Sequence, residues 1–311
     1  MHKVAILSRD SERYRALIKK SLLPDLELVL VNNKISESFD YSKVDILFGD
    51  PDLTSQIVAQ CTELKWLQST WAGNAPLFAV DKNDYQLCGV KGVFQRAMQE
   101  YVFAYLLYFS RNLKGFVEAQ KRGTWEPPSY QSLAGKTLGI MGVGDIGKGV
   151  ANMAKNFSMI TRGYTRNSHD CEGIDQYYKV NEEQDFATDL DYLVCLLPQS
   201  TKTTGLIDKS FLSYLPPHCV LINAGRGASI VDRALIAALQ SKALHAAVLD
   251  VFTQEPLPKS HPFWQLDNLY ITQHTAAESI PEEIFAIFSN NYVNYIDGHA
   301  LQYVLDFDKG Y

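Results

Sequence analysis

The stretch TLGIMGVGDIG at residues 137–147 limits the possible folds of this chain more than any other segment. An apolar run of strand length passes directly into GVGDIG, a GxGxxG that opens a helical pattern over residues 146–157. The three glycines have separate tasks. Gly142 permits the tight turn, Gly144 lets backbone approach a pyrophosphate, and Gly147 lets helix and strand pack closely. The N–H groups of the first helical turn then face an anion, reinforced by the positive end of the helix dipole. The glycine spacing by itself is a weak signal. A strand before it and a helix after it are the context that makes it a dinucleotide cradle. Contacts to such a cofactor are expected from Gly142, Gly144, Asp145, Ile146 and Gly147.

The end of the next strand indicates which dinucleotide. An NAD site places an acidic residue about 20 residues beyond the glycines to bind the ribose hydroxyls. Here residues 162–168 read RGYTRNS, without a carboxylate. Thr165 stands at the expected acidic position and Arg166 follows. An arginine there pairs with a 2′-phosphate, and Thr165 and Ser168 are able to donate to it. NADPH is therefore the expected cofactor, with NADH as a possible substitute.

The remaining sequence fits a pair of α/β units. Apolar runs at 4–8, 26–31, 44–49, 65–70 and 85–90 alternate with polar, helix-compatible stretches, and Ser11 is a candidate N-cap for a helix over 11–22. Further strands are expected at 190–196, 220–223, 246–250 and 269–272, with a last helix over 281–295. Alternation of this kind predicts parallel sheets covered on both faces. Residues 98–121 read as one helix whose middle, YVFAYLLYF at 101–109, is apolar on every side; burial on more than one face is expected, including a subunit interface. A formal charge of −6 argues against a nucleic-acid partner. Five scattered cysteines without CxxC or Cys/His spacing argue against a disulfide scaffold and a metal site, and point to a reducing compartment. The N-terminus lacks the pattern of a signal peptide, and no apolar run is long enough to cross a membrane, so a cytoplasmic protein is expected.

Three segments near the ends of expected strands carry chemistry: INAGRG at 222–227, LDVFTQEPLP at 249–258 and ITQH at 271–274. Ligands of open α/β sheets bind at such carboxyl ends. Arg226 offers a planar fork to hold a carboxylate and polarise a keto oxygen. His274 is a proton donor suited to neutral pH, and Glu255 is the candidate carboxylate to favour its charged form.

GVGDIG, NAGRG, LDVFTQEPLP and the late histidine, in this order, resemble the D-isomer-specific 2-hydroxyacid dehydrogenase family over essentially the whole chain. The resemblance implies two Rossmann-like or flavodoxin-like parallel-sheet domains with a cleft between them. Residues 1–97 with 277–311 would form the substrate domain, and 98–276 the dinucleotide domain. It also implies that Arg226, Glu255 and His274 are catalytic and that Asp250 binds the nicotinamide carboxamide. Leu197, Pro198 and Ala224 are further cofactor contacts on the same footing. STWAGN at 69–74 is similar to the family's glycine loop, whose N–H groups at Trp71, Ala72 and Gly73 would hold the substrate carboxylate. VFQRAMQEYVFAYLLYFSR at 93–111 and the Thr165–Arg166 pair are most like the glyoxylate/hydroxypyruvate reductase branch. The expected activity is NADPH-dependent reduction of a small 2-keto acid to the D-2-hydroxy acid, by a homodimer. A dinucleotide-sensing corepressor and a phosphoglycerate-type dehydrogenase are the alternatives on the same scaffold.

Overall fold

A computed structural model describes residues 1–166 and 170–307. The chain divides into two compact units: Met1–Val93 together with the segment from Ser279, and Phe94–Glu278. The limits expected from sequence, 97/98 and 276/277, lie a few residues inside these.

The first unit is built on five strands, β1 (His2–Leu7), β2 (Leu26–Asn32), β3 (Ile46–Gly49), β4 (Trp66–Ser69) and β5 (Gln86–Cys88). They pair in the order β2-β1-β3-β4-β5, every pair parallel. Val4 to Leu7 of β1 and Ile46 to Phe48 of β3 are fully buried. Such unbroken apolar runs are what a parallel sheet covered on both faces requires. On one face the rings of Phe48 and Trp66 stack on Phe288 of helix Pro281–Ile296, at centroid distances of 4.4 and 5.3 Å. Asn291 of that helix donates to the buried Gln68 of β4 at 3.0 Å, so the last helix is joined to the sheet by polar as well as aromatic contact. Helix Ser11–Ser21 has Asp10, not Ser11, at its N-cap position.

The second unit carries β6 (Thr137–Met141), β7 (Ile160–Tyr164), β8 (Gln176–Tyr178), β9 (Tyr192–Cys195), β10 (Val220–Asn223), β11 (Ala246–Leu249) and β12 (Leu269–Ile271). Their order is β12-β11-β10-β9-β6-β7-β8, again all parallel. The direction of winding reverses between β6 and β9, which is where a doubly wound sheet opens a crevice at its carboxyl ends. Alternate residues feed opposite faces. Leu193, Cys195 and Leu221 enter one core, and Val194, Val220 and Ile222 the other.

The helix expected over 98–121 is two helices, Gln95–Ser110 and Leu113–Arg122. Asn112 sits between them in the left-handed region, at φ 51°, and its side chain accepts from Gly115 N–H at 3.2 Å, capping the second helix. Within 101–109, Val102, Phe103 and Leu106 are buried in the unit's own core. The exposed apolar side chains lie further along, at Leu113, Phe116, Val117 and Trp125, the last fully exposed. Among the described residues, no helix is long and apolar enough to cross a membrane.

Candidate active site

The glycine turn forms as its spacing requires. Gly142 has φ +96°, a conformation open to glycine, and a side chain there would strike the Leu196 carbonyl beyond β9. A Cβ on Gly147 would lie 2.2 Å from the Gly142 carbonyl oxygen. Gly144 differs from both: nothing lies within 4 Å of where its Cβ would be. It occupies the N-cap of helix Asp145–Asn156, and no side chain caps that end. An uncapped helix terminus beside open space, at the sheet's switch point, fits a dinucleotide pyrophosphate. Asp145 and Ile146 begin the helix, and the Asp145 carbonyl is held by Gln95 Nε2 at 2.9 Å. Leu197 is buried and Pro198 exposed just past β9, while Ala224 N–H bonds the Cys195 carbonyl at 3.2 Å. These cofactor candidates therefore gather at the carboxyl ends of β6, β9 and β10. Thr165 follows β7, its N–H bonded to the Tyr178 carbonyl at 3.0 Å, and Arg166 is exposed beside it. Ser168 lies outside the described residues.

The loop after β10 is shaped by its asparagine. Asn223 accepts from Gly225 N–H at 3.2 Å and donates to the Arg226 carbonyl at 3.0 Å. Arg226 is half-buried, with one guanidinium nitrogen on the Gly225 carbonyl at 2.7 Å. Burial lowers its pKa from the ordinary arginine value, and the Glu255 carboxylate works against that shift. An arginine stays protonated in proteins, so the guanidinium remains a cation at neutral pH.

The loops after β11 and β12 bring the other two groups together. Glu255 Oε2 lies 2.8 Å from His274 Nδ1, and its Oε1 accepts from Phe252 N–H at 2.8 Å. One carboxylate thus fixes the imidazole while a backbone donor fixes the carboxylate. With Nδ1 taken, Nε2 is the ring nitrogen left for acid chemistry. The two side chains are 54% and 35% exposed, so water screens the pair and its worth lies in orientation more than in stability.

Asp250 is 2% exposed and directly follows β11. Its carboxylate accepts from the Thr272 hydroxyl at 2.6 Å, from Thr275 N–H at 2.8 Å and from Ala276 N–H at 3.2 and 3.1 Å. It organises the segment that carries His274.

The profile of the D-isomer specific 2-hydroxyacid dehydrogenase NAD binding domain matches residues 103–276, more than half of the chain. The chain belongs to the D-isomer specific 2-hydroxyacid dehydrogenase family. A glyoxylate/hydroxypyruvate reductase A of Serratia proteamaculans is 32% identical over 214 residues, 69% of this chain and 68% of that protein. A family protein of Aeromonas salmonicida superposes with a TM-score of 0.93 at 36% identity, covering 99% of both chains. An NADPH-dependent glyoxylate/hydroxypyruvate reductase of Sinorhizobium meliloti, solved with NADP and sulfate, superposes at 0.88 with 26% identity over the full length of both. Within the dehydrogenase family the chain groups with the glyoxylate/hydroxypyruvate reductase branch.

In this dehydrogenase the loop after β4 is braced from below. Buried Asp50 accepts from the Ser8 hydroxyl at 2.7 Å, the Thr70 hydroxyl at 2.6 Å and Arg9 N–H at 2.9 Å. Arg9 also pairs with Asp52, and its guanidinium lies 5.4 Å from the centre of the Trp71 ring. Trp71 N–H points to the Ser69 hydroxyl at 3.1 Å. Asp50, Arg9, Tyr101 and Thr272 were not legible as site residues, because no motif surrounds them and only the tertiary fold makes them neighbours of the loops they hold. Burial pushes the Cys195 thiol up to about 11 and those of Cys61 and Cys88 up to about 12, too high for thiolate chemistry at neutral pH. Among the described residues no cluster suits a metal ion.

Proposed function

We propose that this dehydrogenase reduces a small 2-keto acid of the glyoxylate or hydroxypyruvate class to the D-2-hydroxy acid, with NADPH as the preferred reductant. The observation that carries the reading is the 2.8 Å pairing of Glu255 with His274 Nδ1, set on neighbouring loops of the sheet that also presents Arg226. Arg226 holds the substrate carboxylate and polarises the keto oxygen. His274 donates the Nε2 proton to the oxygen as it becomes an alkoxide, and Glu255 holds the ring in place through Nδ1. Gly144 and the start of helix Asp145–Asn156 hold the pyrophosphate, and Arg166 the 2′-phosphate. When bound, the reduced dinucleotide supplies the hydride.

The reading includes a two-fold dimer, supported by the exposed apolar side chains from Leu113 to Trp125, and a cytoplasmic setting, supported by five free, buried cysteines. The test is a panel of small 2-keto acids with NADPH or NADH, followed by nucleotide absorbance and chiral analysis of the product. Turnover of glyoxylate or hydroxypyruvate with NADPH favoured is the expected result. No turnover with any keto acid would overturn the proposal.

A further inference from the structure

We infer that Tyr101 and Thr272 are positioning residues for His274, acting through the buried carboxylate of Asp250. The inference rests on the reading of His274 as the proton donor.

A carboxylate taken out of water must be given donors. All the side-chain bonds to Asp250 come from residues 272–276, so this segment closes around the carboxylate with His274 at its middle. His274 itself has φ 57°, in the left-handed region that a side-chain-bearing residue enters at a cost. Its N–H is tied to the Asp250 carbonyl at 2.8 Å. The backbone turn that delivers the imidazole to Glu255 is thus held on both flanks by one residue.

The orientation of that residue depends on a chain of hydroxyls. Thr272 has one hydroxyl hydrogen, and the carboxylate takes it at 2.6 Å. The Tyr101 hydroxyl lies 2.9 Å from the same oxygen. With the Thr272 hydrogen spent, Tyr101 must be the donor. The order is therefore Tyr101 to Thr272 to Asp250, and it runs from helix Gln95–Ser110 to the catalytic segment. Burial pushes the tyrosine hydroxyl well above its ordinary pKa, so it keeps its hydrogen at any pH where the protein works. Its ring is fixed edge-on against Tyr105 at 5.1 Å.

Tyr101→Phe, Thr272→Val, their double variant and Thr272→Ser, all in the full chain, test the relay. Two readouts are taken: turnover of glyoxylate with NADPH, and hydrogen exchange of the segment 272–277. Tyr101→Phe and Thr272→Val are expected to lower kcat about two- to tenfold, the scale of one neutral hydrogen bond. KM for glyoxylate and Kd for NADPH should stay unchanged, and exchange in the segment should quicken. The double variant should be no worse than Thr272→Val, because Tyr101 acts only through Thr272. Thr272→Ser, which keeps the hydroxyl, should restore both readouts. Unchanged exchange overturns the relay. Faster exchange with unchanged kcat overturns its effect on the proton donor, as do additive losses in the double variant. If the wild-type protein reduces no keto acid, the proposed function fails, while exchange still decides the relay.

Discussion

Alanine at Gly144 and alanine at Gly147 separate the two duties of the glycine turn. At Gly144 the new methyl meets no protein atom within 4 Å. The backbone there, at φ −85° and ψ −158°, is extended and open to any residue. Alanine is a poorer helix N-cap than glycine by roughly 0.5–1 kcal/mol. Restricting the unfolded chain returns about 0.4–1 kcal/mol. The two nearly cancel, so the melting temperature should move by less than about 2 °C. At Gly147 the methyl falls 2.2 Å from a backbone carbonyl that has no freedom to turn away. Overpacking of this kind costs about 1–3 kcal/mol, a loss of about 2–12 °C for a unit of this size. Nucleotide affinity should respond differently. The Gly144 methyl occupies the space a pyrophosphate needs, and each charge-assisted bond lost there weakens binding about 10- to 150-fold. Differential scanning fluorimetry without nucleotide, beside fluorescence titration with NADPH, reads both quantities. Gly144→Ala should melt like wild type and bind NADPH poorly. If it binds NADPH as tightly as wild type, or melts as low as Gly147→Ala, the assignment of the open space to the cofactor is refuted.

Arg166→Ala should raise KM for NADPH by one to two orders of magnitude, about what one charged hydrogen-bonded contact is worth, and leave NADH little changed; equal losses with both would remove Arg166 from the 2′-phosphate site. Glu255→Gln weakens the carboxylate's hold on His274 Nδ1, so kcat for keto-acid reduction should fall about tenfold or more, the worth of one charged hydrogen bond, while NADPH affinity holds. An unchanged kcat would show that another group orients the proton donor. Light scattering should give about twice the 35.0 kDa chain mass, and a clean monomer would reject the dimer.

The parts of the fold and site that were legible share a physical basis: they are local. TLGIM followed by GVGDIG states its strand, turn and helix within eleven residues, and the structure builds the turn with Gly142 at positive φ. Arg226, Glu255 and His274 were readable because each sits in a distinctive segment at the end of a strand. Long-range features were less visible. β8 is a three-residue strand without a strong apolar pattern, held by its pairing with β7. The break at Asn112 depends on a side chain capping Gly115, which an apolar run of helical period conceals. Val102, Phe103 and Leu106 pack into the unit's own core, and exposed apolar side chains follow beyond that break. That residues 272–276 supply donors to Asp250 was not legible either, because only the fold brings the two segments together.

The split of the first unit across the chain also sets an order of events during synthesis. β1 to β5 leave the ribosome first, and Phe48 meets Tyr14 of the first helix at 4.5 Å, yet the stack of Phe48 and Trp66 is complete only when Phe288 has been made. The whole of Phe94–Glu278 intervenes and is continuous, so its strands find their neighbours sooner. For that interval the nascent chain presents a parallel sheet with part of one face uncovered, the kind of surface that chaperones bind and that aggregates when they do not.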